Sequence, residues 1–302
     1  MPAPHVPTAR LRLAAPPLPT ADPKDLSTWR TLLDALAHQL QATGNRLTWS
    51  GEFSVDPGGT NSTFAVNVGA FYGLTLTDLA SGTFLPYFTA GATIGASKIE
   101  GGGNLANNSW YYVYAWSNAG SVDYEISLTA PSVSRVRKSG SDDEDLARVY
   151  LGCFRTGSAG APLPVHAVRG RYLYRRSAIA SVDGAFGANG LRAVPIATGV
   201  TARTDLDLTA RVPPHARRAV LVAQVLLTSG SGSAAASTDL YDAADTTSPS
   251  QSVTALVAAT GDKAQATGRC EVQLTSAQLC GYAIVSAVGT ANGSVDVMGW
   301  EE

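Results

Sequence analysis

The chain has 302 residues, of which 45% are hydrophobic and 15% are charged, and its formal net charge is −2. A chain of this length can form about two ordinary domains, each with its own core, and its near-neutral charge argues against nucleic acid as a partner. Its wealth of Thr, Ser, Ala, Gly and Val, beside only two Met, favours short strands and turns, so we expect a mainly β fold.

A proline-rich arm is the first predicted element and covers residues 1–21. It contains no uninterrupted apolar run, so neither a signal peptide nor a membrane span is predicted, and we expect synthesis in the cytoplasm without membrane insertion. Leu11, Leu13 and Leu18 give the arm apolar side chains that a neighbouring subunit would bury. Two interpretations stay open at this point: an arm extended over a partner, and a disordered tail.

An α-helix is predicted over residues 22–44. Asp22 is a suitable N-cap, Pro23 suits the first helical position, and Gly44 ends the pattern. Spacings of three and four residues form an apolar seam, which consists of Leu26, Trp29, Leu33, Leu36 and Leu40. A seam this short is marginal in water, so it packs either on the chain's own β-domain or against copies of itself at an oligomer interface.

A first β-domain is predicted over residues 45–178, where short strands alternate with Gly, Asn, Ser and Pro. Residues 110–117, WYYVYAWS, are apolar on both faces, which predicts a strand that lies between two layers or beneath another subunit. The predicted oligomer interface therefore includes Trp110, Tyr112 and Trp116 as well as the helical seam.

The strand after residues 110–117 alternates in polarity and is joined to them through an Asn-Ala-Gly hairpin at residues 118–120. The residues predicted on its buried face are Val122, Tyr124, Ile126 and Leu128.

A second β-domain is predicted over residues 179–302. Six apolar segments predict its strands: DLDLTARV, AVLVAQVLL, VTALVAA, CEVQL, CGYAIVSAV and SVDVMGW. The expected architecture is thus two β-sandwich-like domains of jelly-roll type, preceded by the arm and the helix. Residues 229–252 are predicted to form a long loop or distal tip, on which Tyr241, Asp239 and Asp242 are candidate ligand-binding residues.

Motifs that indicate enzymatic chemistry are missing from the sequence. It contains no G-x-S-x-G element and no glycine-rich phosphate-binding loop. Its four histidines share no metal-ligand spacing, and Cys153, Cys270 and Cys280 form no CxxC pair. We therefore predict no catalytic residue, no metal site and no cofactor.

Two further features admit more than one interpretation. Cys270 and Cys280 flank a predicted hairpin, so they form either a disulfide or two reduced, buried thiols. Acidic residues at positions 142–145, and Asp239, Asp242 and Asp245, are either solvated loops or calcium ligands, with the solvated loop favoured because an EF-hand pattern is absent.

One stretch resembles a known family. The run NNSWYYVYAWSNAGSVDYEISLTAP is followed by LARVYLGCFRTGSAGAPLPVHAVRGRYLYR. The order of an aromatic strand, an Asn/Gly turn, a second strand, a Leu-Gly-x-Phe-Arg-Thr strand end and a returning Tyr-rich strand resembles a module of phage tail fibre, tail-tip and virion-associated structural proteins. The resemblance covers residues 105–175 and carries over no catalytic residue.

The resemblance implies a virion component, on the exterior of the tail or capsid and made in the bacterial cytoplasm, that is often trimeric. The leading hypothesis is a non-enzymatic structural or attachment subunit that assembles as a homo-oligomer, with a trimer favoured, and meets other tail proteins through its N-terminal arm. A short chain without a repetitive shaft leaves fibre, collar, baseplate and decoration roles open. The alternative is a lectin-like receptor-binding protein whose partner is a host cell-surface glycan.

Overall fold

The computed structural model describes residues 51–78, 83–118, 120–131, 148–175, 186–187, 190–243, 245 and 247–302. All of these belong to one compact unit, Gln41–Glu302. The predicted arm at 1–21 and the predicted helix at 22–44 lie outside the described residues.

Strands dominate this part of the chain, which confirms the mainly β prediction, and a single turn of 3-10 helix, Ala96–Lys98, is the one helical element that it contains. The strands are β1 Glu52–Val55, β2 Val66–Val68, β3 Phe71–Asp78, β4 Thr83–Thr89, β5 Ala92–Ile94, β6 Trp110–Asn118, β7 Ser121–Ser127, β8 Val149–Arg155, β9 Val165–Val168, β10 Arg171–Tyr174, β11 Phe186–Gly187, β12 Gly190–Thr198, β13 Thr201–Asp207, β14 Arg218–Thr228, β15 Ala234–Tyr241, β16 Gln251–Val257, β17 Lys263–Gln273, β18 Leu279–Ser286 and β19 Thr290–Glu301.

Three sheets contain these strands. A ten-stranded sheet has the order β11-β12-β19-β10-β9-β1-β2-β5, and β14 joins it through β19 and in turn pairs with β17. A four-stranded sheet has the order β13-β18-β15-β16, and a five-stranded sheet has the order β4-β3-β6-β7 with β8 also paired to β6. The pairing is antiparallel except for a short parallel contact between β3 and β6.

Strand β19 is the central element of the ten-stranded sheet. One of its edges pairs with β14 along its whole length, from Thr228↔Thr290 to Arg218↔Glu301. Its other edge is shared by β12, which pairs around Val297, and by β10, which pairs from Arg171↔Glu301 to Leu173↔Gly299. The sheet therefore runs across the predicted domain boundary at residues 178/179, with β1, β2, β5, β9 and β10 on one side of it and the remaining strands on the other.

The core follows the period-two pattern of the strands. In β14 the inward-facing residues are all fully buried, and they are Ala219, Leu221, Ala223, Val225 and Leu227. At the end of β19, Trp300 is also fully buried. Its ring stacks on Tyr172 at a centroid distance of 4.7 Å and meets Trp110 edge-on at 5.3 Å and Tyr174 at 5.4 Å.

The five-stranded sheet packs on the first strands of the ten-stranded sheet. A Cβ atom added to Gly152 in β8 would lie 2.7 Å from the ring of Phe53 in β1, so this glycine lets the two layers approach. The approach buries the face of the five-stranded sheet that carries Gly152. On this face Tyr111 stacks on its cross-strand neighbour Phe154 at 5.7 Å. Strand β6 is consequently buried on both faces within this chain, as predicted for a strand between two layers.

The four-stranded sheet lies directly against β14 and β19. Thr238 in β15 donates its hydroxyl proton to the backbone carbonyl of Gln224 at 2.9 Å, and a side chain at Gly293 would collide with Thr238 and Ile284. At the sheet edge, the Gln251 side-chain amide in β16 exchanges two hydrogen bonds with the backbone of Glu271 in β17, at 2.9 and 3.1 Å. A side chain thus continues the ladder between two strands that belong to different sheets.

Three sequence predictions are wrong in this part of the chain. The predicted loop at 229–252 contains β15, an interior strand of its sheet, because the small side chains of Ala234 and Ala236 fit where the layers approach most closely. The predicted strand DLDLTARV ends at Asp207, since Leu208 to Val212 form a turn in which Val212 donates to the Leu208 carbonyl. Leu128 is 57% exposed, because β7 ends at Ser127.

Within the described part of the chain, no helix has the length and apolar character that a bilayer span requires.

Trp300→Ala tests the importance of the aromatic cluster at the end of β19. Removal of a fully buried indole leaves a cavity among Trp110, Tyr172 and Tyr174, so we expect a loss of about 3–5 kcal/mol in the free energy of unfolding, measured by urea denaturation. Leu128→Ala, at a 57% exposed position, is the matched control and should change stability by less than about 0.5 kcal/mol. Equal effects of the two substitutions would contradict this account of the core.

Candidate functional site

The predicted interface residues fall into two groups. Those of the helical seam lie outside the described residues: Leu26, Trp29, Leu33, Leu36 and Leu40. Those of β6 are described, and the structure surrounds each of them with residues of the same chain.

Tyr112 is 2% exposed, and its ring lies 6.4 Å from that of Tyr150 and 5.7 Å from that of His215. Trp110 is half-buried against Trp300. Trp116 is also half-buried, with the Arg148 guanidinium 4.3 Å above its ring. An intersubunit role for these residues stays a prediction, and Tyr112 has almost no free surface to contribute to it.

The predicted ligand-binding residues lie on β15 and in the loop that follows it. Tyr241 is 8% exposed, and the guanidinium of Arg203 lies 5.6 Å from its ring centre. Asp239 is buried, and the Asp242 carboxylate accepts a hydrogen bond from the backbone N–H of Gln273 at 2.7 Å. The acidic group at Asp245 accepts from the backbone N–H groups of residues 247 and 248. The carboxylates of Asp242 and Asp245 are therefore hydrogen-bonded to backbone N–H groups of this chain.

A different group of polar residues converges in the interior, and we call it the Cys153 cluster: Cys153, His215 and Glu302, together with Tyr150. One ligand atom from each of Cys153, His215 and Glu302 lies within 4.8 Å of the others. The Glu302 Oε1 atom is the common centre. It accepts the Tyr150 hydroxyl proton at 2.6 Å and lies 2.7 Å from His215 Nε2 and 3.7 Å from Cys153 Sγ.

A β-bulge in β8 places two of these side chains on one face. In a regular strand, residues 150 and 153 would point to opposite faces of the sheet. The register with β6 shifts between Tyr114↔Tyr150 and Val113↔Gly152, so Leu151 is the extra residue. This insertion turns Tyr150 onto the same face as Cys153, whose cross-strand partner is Tyr112.

His215 reaches the cluster from the turn that precedes β14. Pro213 and Pro214 restrict the backbone of this turn, and the buried Gln278 side chain donates to the Pro214 carbonyl at 2.6 Å. Glu302 follows β19 directly, and its N–H donates to the Gly170 carbonyl at 3.0 Å. Since β14 and β19 are antiparallel and Arg218 pairs with Glu301, the residues just before β14 and just after β19 necessarily lie close together.

The electrostatics of the cluster keep its phenols neutral. Burial raises the pKa of Tyr150 well above its usual value, and the nearby side chains of Cys153 and Glu302 raise it further. Burial raises the pKa of Tyr112 for the same combination of reasons. Both side chains are therefore hydrogen-bond donors at neutral pH and are unsuited to act as general bases.

The accessible chemistry of the cluster follows from its burial. Cys153 is fully buried, whereas the side chains of Glu302 and His215 are 5% and 16% exposed. A thiol in this position cannot attack a substrate in solution. A thiol, an imidazole and a carboxylate that converge in the interior are, however, a set of donors able to hold a metal ion.

Residue patterns in the sequence do not predict this cluster. Metal and catalytic motifs are recognised by short spacings, whereas Cys153, His215 and Glu302 come from three separate segments. The convergence depends on the β14–β19 register and on the bulge at Leu151, and neither is readable from residue patterns alone.

No protein-family model and no curated protein matches the chain. Among solved structures, a Bacillus thuringiensis Cry1Da tryptic core variant aligns over 83% of this chain and 51% of its own, with 10% identity and a TM-score of 0.22. The chain thus spans about half the length of that protein.

Tyr150→Phe tests the hydrogen bond to Glu302. The substitution removes the hydroxyl that donates to a buried carboxylate, so we expect a loss of about 1–3 kcal/mol in the free energy of unfolding, measured by urea denaturation. Tyr282→Phe is the control, since its hydroxyl has no hydrogen bond with any described residue, and should change stability by less than about 0.5 kcal/mol. An unchanged free energy of unfolding in Tyr150→Phe would show that this hydrogen bond does not stabilise the fold.

Thiol labelling tests the state of the other two cysteines, which are both buried and unpaired. Burial raises the pKa of Cys270, and it raises that of Cys280 to about 12 with further contributions from Asp242 and Asp205. At pH 8 only about one Cys280 thiol in ten thousand is ionised, so iodoacetamide should label both residues slowly in the folded protein and rapidly in urea. Mass spectrometry of the labelled peptides measures this, and equal rates in both states would refute it.

Proposed function

We propose that this chain is a non-enzymatic structural or attachment subunit of a phage or phage-like tail particle, on the virion exterior as a fibre, collar, baseplate or decoration component. The observation that carries the proposal is the resemblance of residues 105–175 to the module of such proteins. Its aromatic strand is β6, its second strand is β7, its Leu-Gly-x-Phe-Arg segment ends β8, and its Tyr-rich strand is β10. Three of these segments, β6, β7 and β8, are neighbours in the five-stranded sheet, whereas β10 belongs to the ten-stranded sheet.

The second part of the proposal is that the two predicted β-domains, residues 45–178 and 179–302, are β-sandwich-like and of jelly-roll type. Support comes from the close layer contacts at two glycines. Gly152 brings the five-stranded sheet onto Phe53, and Gly293 brings β19 onto Thr238 and Ile284. Such stiff, strand-built bodies suit a subunit whose task is to hold a shape.

The third part is self-assembly into a symmetric oligomer, with a trimer favoured. An exposed aliphatic patch on the outer face of the four-stranded sheet supports it, formed by Leu256, Val285 and Val200, which are 70%, 45% and 59% exposed. Leu256 in β16 pairs with Ala235, and Val285 in β18 pairs with Ser237 two residues along β15, so both point outward on the same face. Val200 comes just before Thr201, which pairs with Ile284, so the antiparallel register places Val200 beside Val285.

The residues between these aliphatic side chains are small and uncharged. Ala235, Ser237 and Thr254 occupy the same face, so contact with a second copy would desolvate no charge there. Exposed apolar patches of this kind typically mark contact surfaces, and copies of one chain usually meet in closed symmetry. In the particle, the N-terminal arm at residues 1–21 would contact neighbouring tail proteins.

A non-catalytic role is supported by the burial of the Cys153 thiol, which faces away from solvent. The alternative function, recognition of a host cell-surface glycan through Tyr241, Asp239 and Asp242, has weaker support. Sugar binding by an aromatic residue needs an open ring face, and Tyr241 is 8% exposed. A glycan array distinguishes the two functions: saturable binding that Tyr241→Ala abolishes would favour the glycan-binding protein.

The double variant Leu256→Lys, Val285→Lys tests the assembly surface. In size-exclusion chromatography with light scattering, the wild type is expected at about three times the 31.2 kDa chain mass, and the variant at the mass of one chain, because two buried ammonium groups would oppose association.

Leu226→Lys is the matched control, since Leu226 is 40% exposed on β14 of the ten-stranded sheet, outside the aliphatic patch. This variant should remain oligomeric. A wild-type chain that stays monomeric at high concentration would refute the proposed assembly.

A further inference from the structure

We propose that the Cys153 cluster is a zinc-binding site in which Cys153, His215 and Glu302 are the protein ligands. Three segments distant in sequence supply them: β8, the turn before β14, and the residue after β19. Their ligand atoms already lie within 4.8 Å of one another. This proposal does not depend on the proposed function and would hold for a chain of any role.

The types of donor atom select the metal. Calcium and magnesium prefer sites built entirely from oxygen, so a cysteine sulfur beside an imidazole nitrogen disfavours both. Thiolate, imidazole and carboxylate are the three side-chain ligands that zinc uses in proteins. A soft sulfur, a borderline nitrogen and one oxygen therefore fit zinc better than calcium or magnesium.

The distances within the cluster are near those of a tetrahedral zinc site. Bonds of about 2.0–2.3 Å at tetrahedral angles place neighbouring ligand atoms about 3.3–3.6 Å apart. Cys153 Sγ and Glu302 Oε1, at 3.7 Å, lie only slightly farther apart than this. His215 Nε2 and Glu302 Oε1, at 2.7 Å, share a hydrogen bond and need to separate by roughly 0.6 Å, a small movement for two side chains.

The surroundings of the three ligands also fit. Tyr150 donates to Glu302 Oε1, and such an outer hydrogen bond orients a ligating carboxylate. The rings of Tyr112 and Tyr150, centred 5.7 and 5.4 Å from that of His215, restrict the orientation of the imidazole.

His215 also provides a path to solvent. Its side chain is 16% exposed, whereas Cys153 is fully buried and the Glu302 side chain is 5% exposed, so the ion would enter past the imidazole. Water on that side would complete the coordination of a site with three protein ligands. Binding would displace the thiol proton and replace the direct contacts within the cluster by bonds to one ion, which ties β8, β14 and β19 together.

Cobalt substitution in the full-length protein tests the site directly. After removal of metals with a chelator, titration with Co²⁺ should produce the absorption of a cobalt–thiolate bond, and zinc should abolish it. Zinc content measured by mass spectrometry should reach about one ion per chain. The variant C270S/C280S retains Cys153 as its single cysteine and should give the same absorption as the wild type.

Replacement of the ligands should remove the signal. Cys153→Ser is expected to lose the thiolate absorption, and Glu302→Gln and His215→Gln should weaken zinc binding by at least the roughly 10–100-fold that loss of an outer hydrogen bond costs. Glu302 follows the last strand, so its substitution is the one best suited to keep the fold, which circular dichroism checks.

Two results would overturn the proposal. One is folded wild-type protein that takes up no zinc and gives no thiolate absorption with Co²⁺, in which case the cluster is a hydrogen-bonded group only. The other is absorption that disappears in C270S/C280S, which would locate the bound metal at another cysteine.

Discussion

Hydrogen bonding on both edges of β19 is the constraint on which the described fold depends. One edge pairs with β14 over its full length, and the other pairs with β12 and β10, so strands from both halves of the chain meet on a single strand. Each backbone N–H and C=O in this interior needs a partner, and the ladder provides it. Trp300 adds apolar contact at the same end, where Tyr172, Tyr174 and Trp110 surround its ring. The same end of β19 also positions Glu302 for the Cys153 cluster.

Residue patterns predicted the strongly apolar strands well and the others poorly. Strands β6, β14, β18 and β19 contain apolar runs rich in aromatic or β-branched residues, which indicate a strand directly. Strand β15 is predicted as a loop because Ala and Asp are depleted in strands and Ser and Gly surround it, and its place is decided by the tight packing of Thr238 against β14. The site was not predictable either, since it depends on a bulge and on long-range register. The ligand-binding prediction for Tyr241 and Asp239 assumes an exposed loop, whereas both residues lie on β15 and are buried.

The two-sided burial of β6 changes the basis of the assembly proposal. From sequence, an apolar strand such as WYYVYAWS has two explanations, a second layer of the same chain or a neighbouring subunit. The second layer is present within this chain. Phe53 of the ten-stranded sheet lies against Gly152 beside β6, and Trp300 and His215 lie against Trp110 and Tyr112 of β6 itself. The argument for an oligomer consequently depends on the outer face of the four-stranded sheet, where aliphatic side chains are exposed, and less on the aromatic strand.

The pairing of β10 with β19 also has a kinetic consequence. Arg171 and Glu301 are hydrogen-bonded neighbours in the sheet although they lie far apart in sequence, and the same holds for β1 and β9. Such contacts form only after long loops have closed, and the loss of chain entropy comes before the gain from packing. Proteins dominated by non-local strand pairing fold in milliseconds to seconds, much more slowly than helical bundles. This chain therefore belongs among the slow folders, with its strand edges open to wrong partners until β19 is in place.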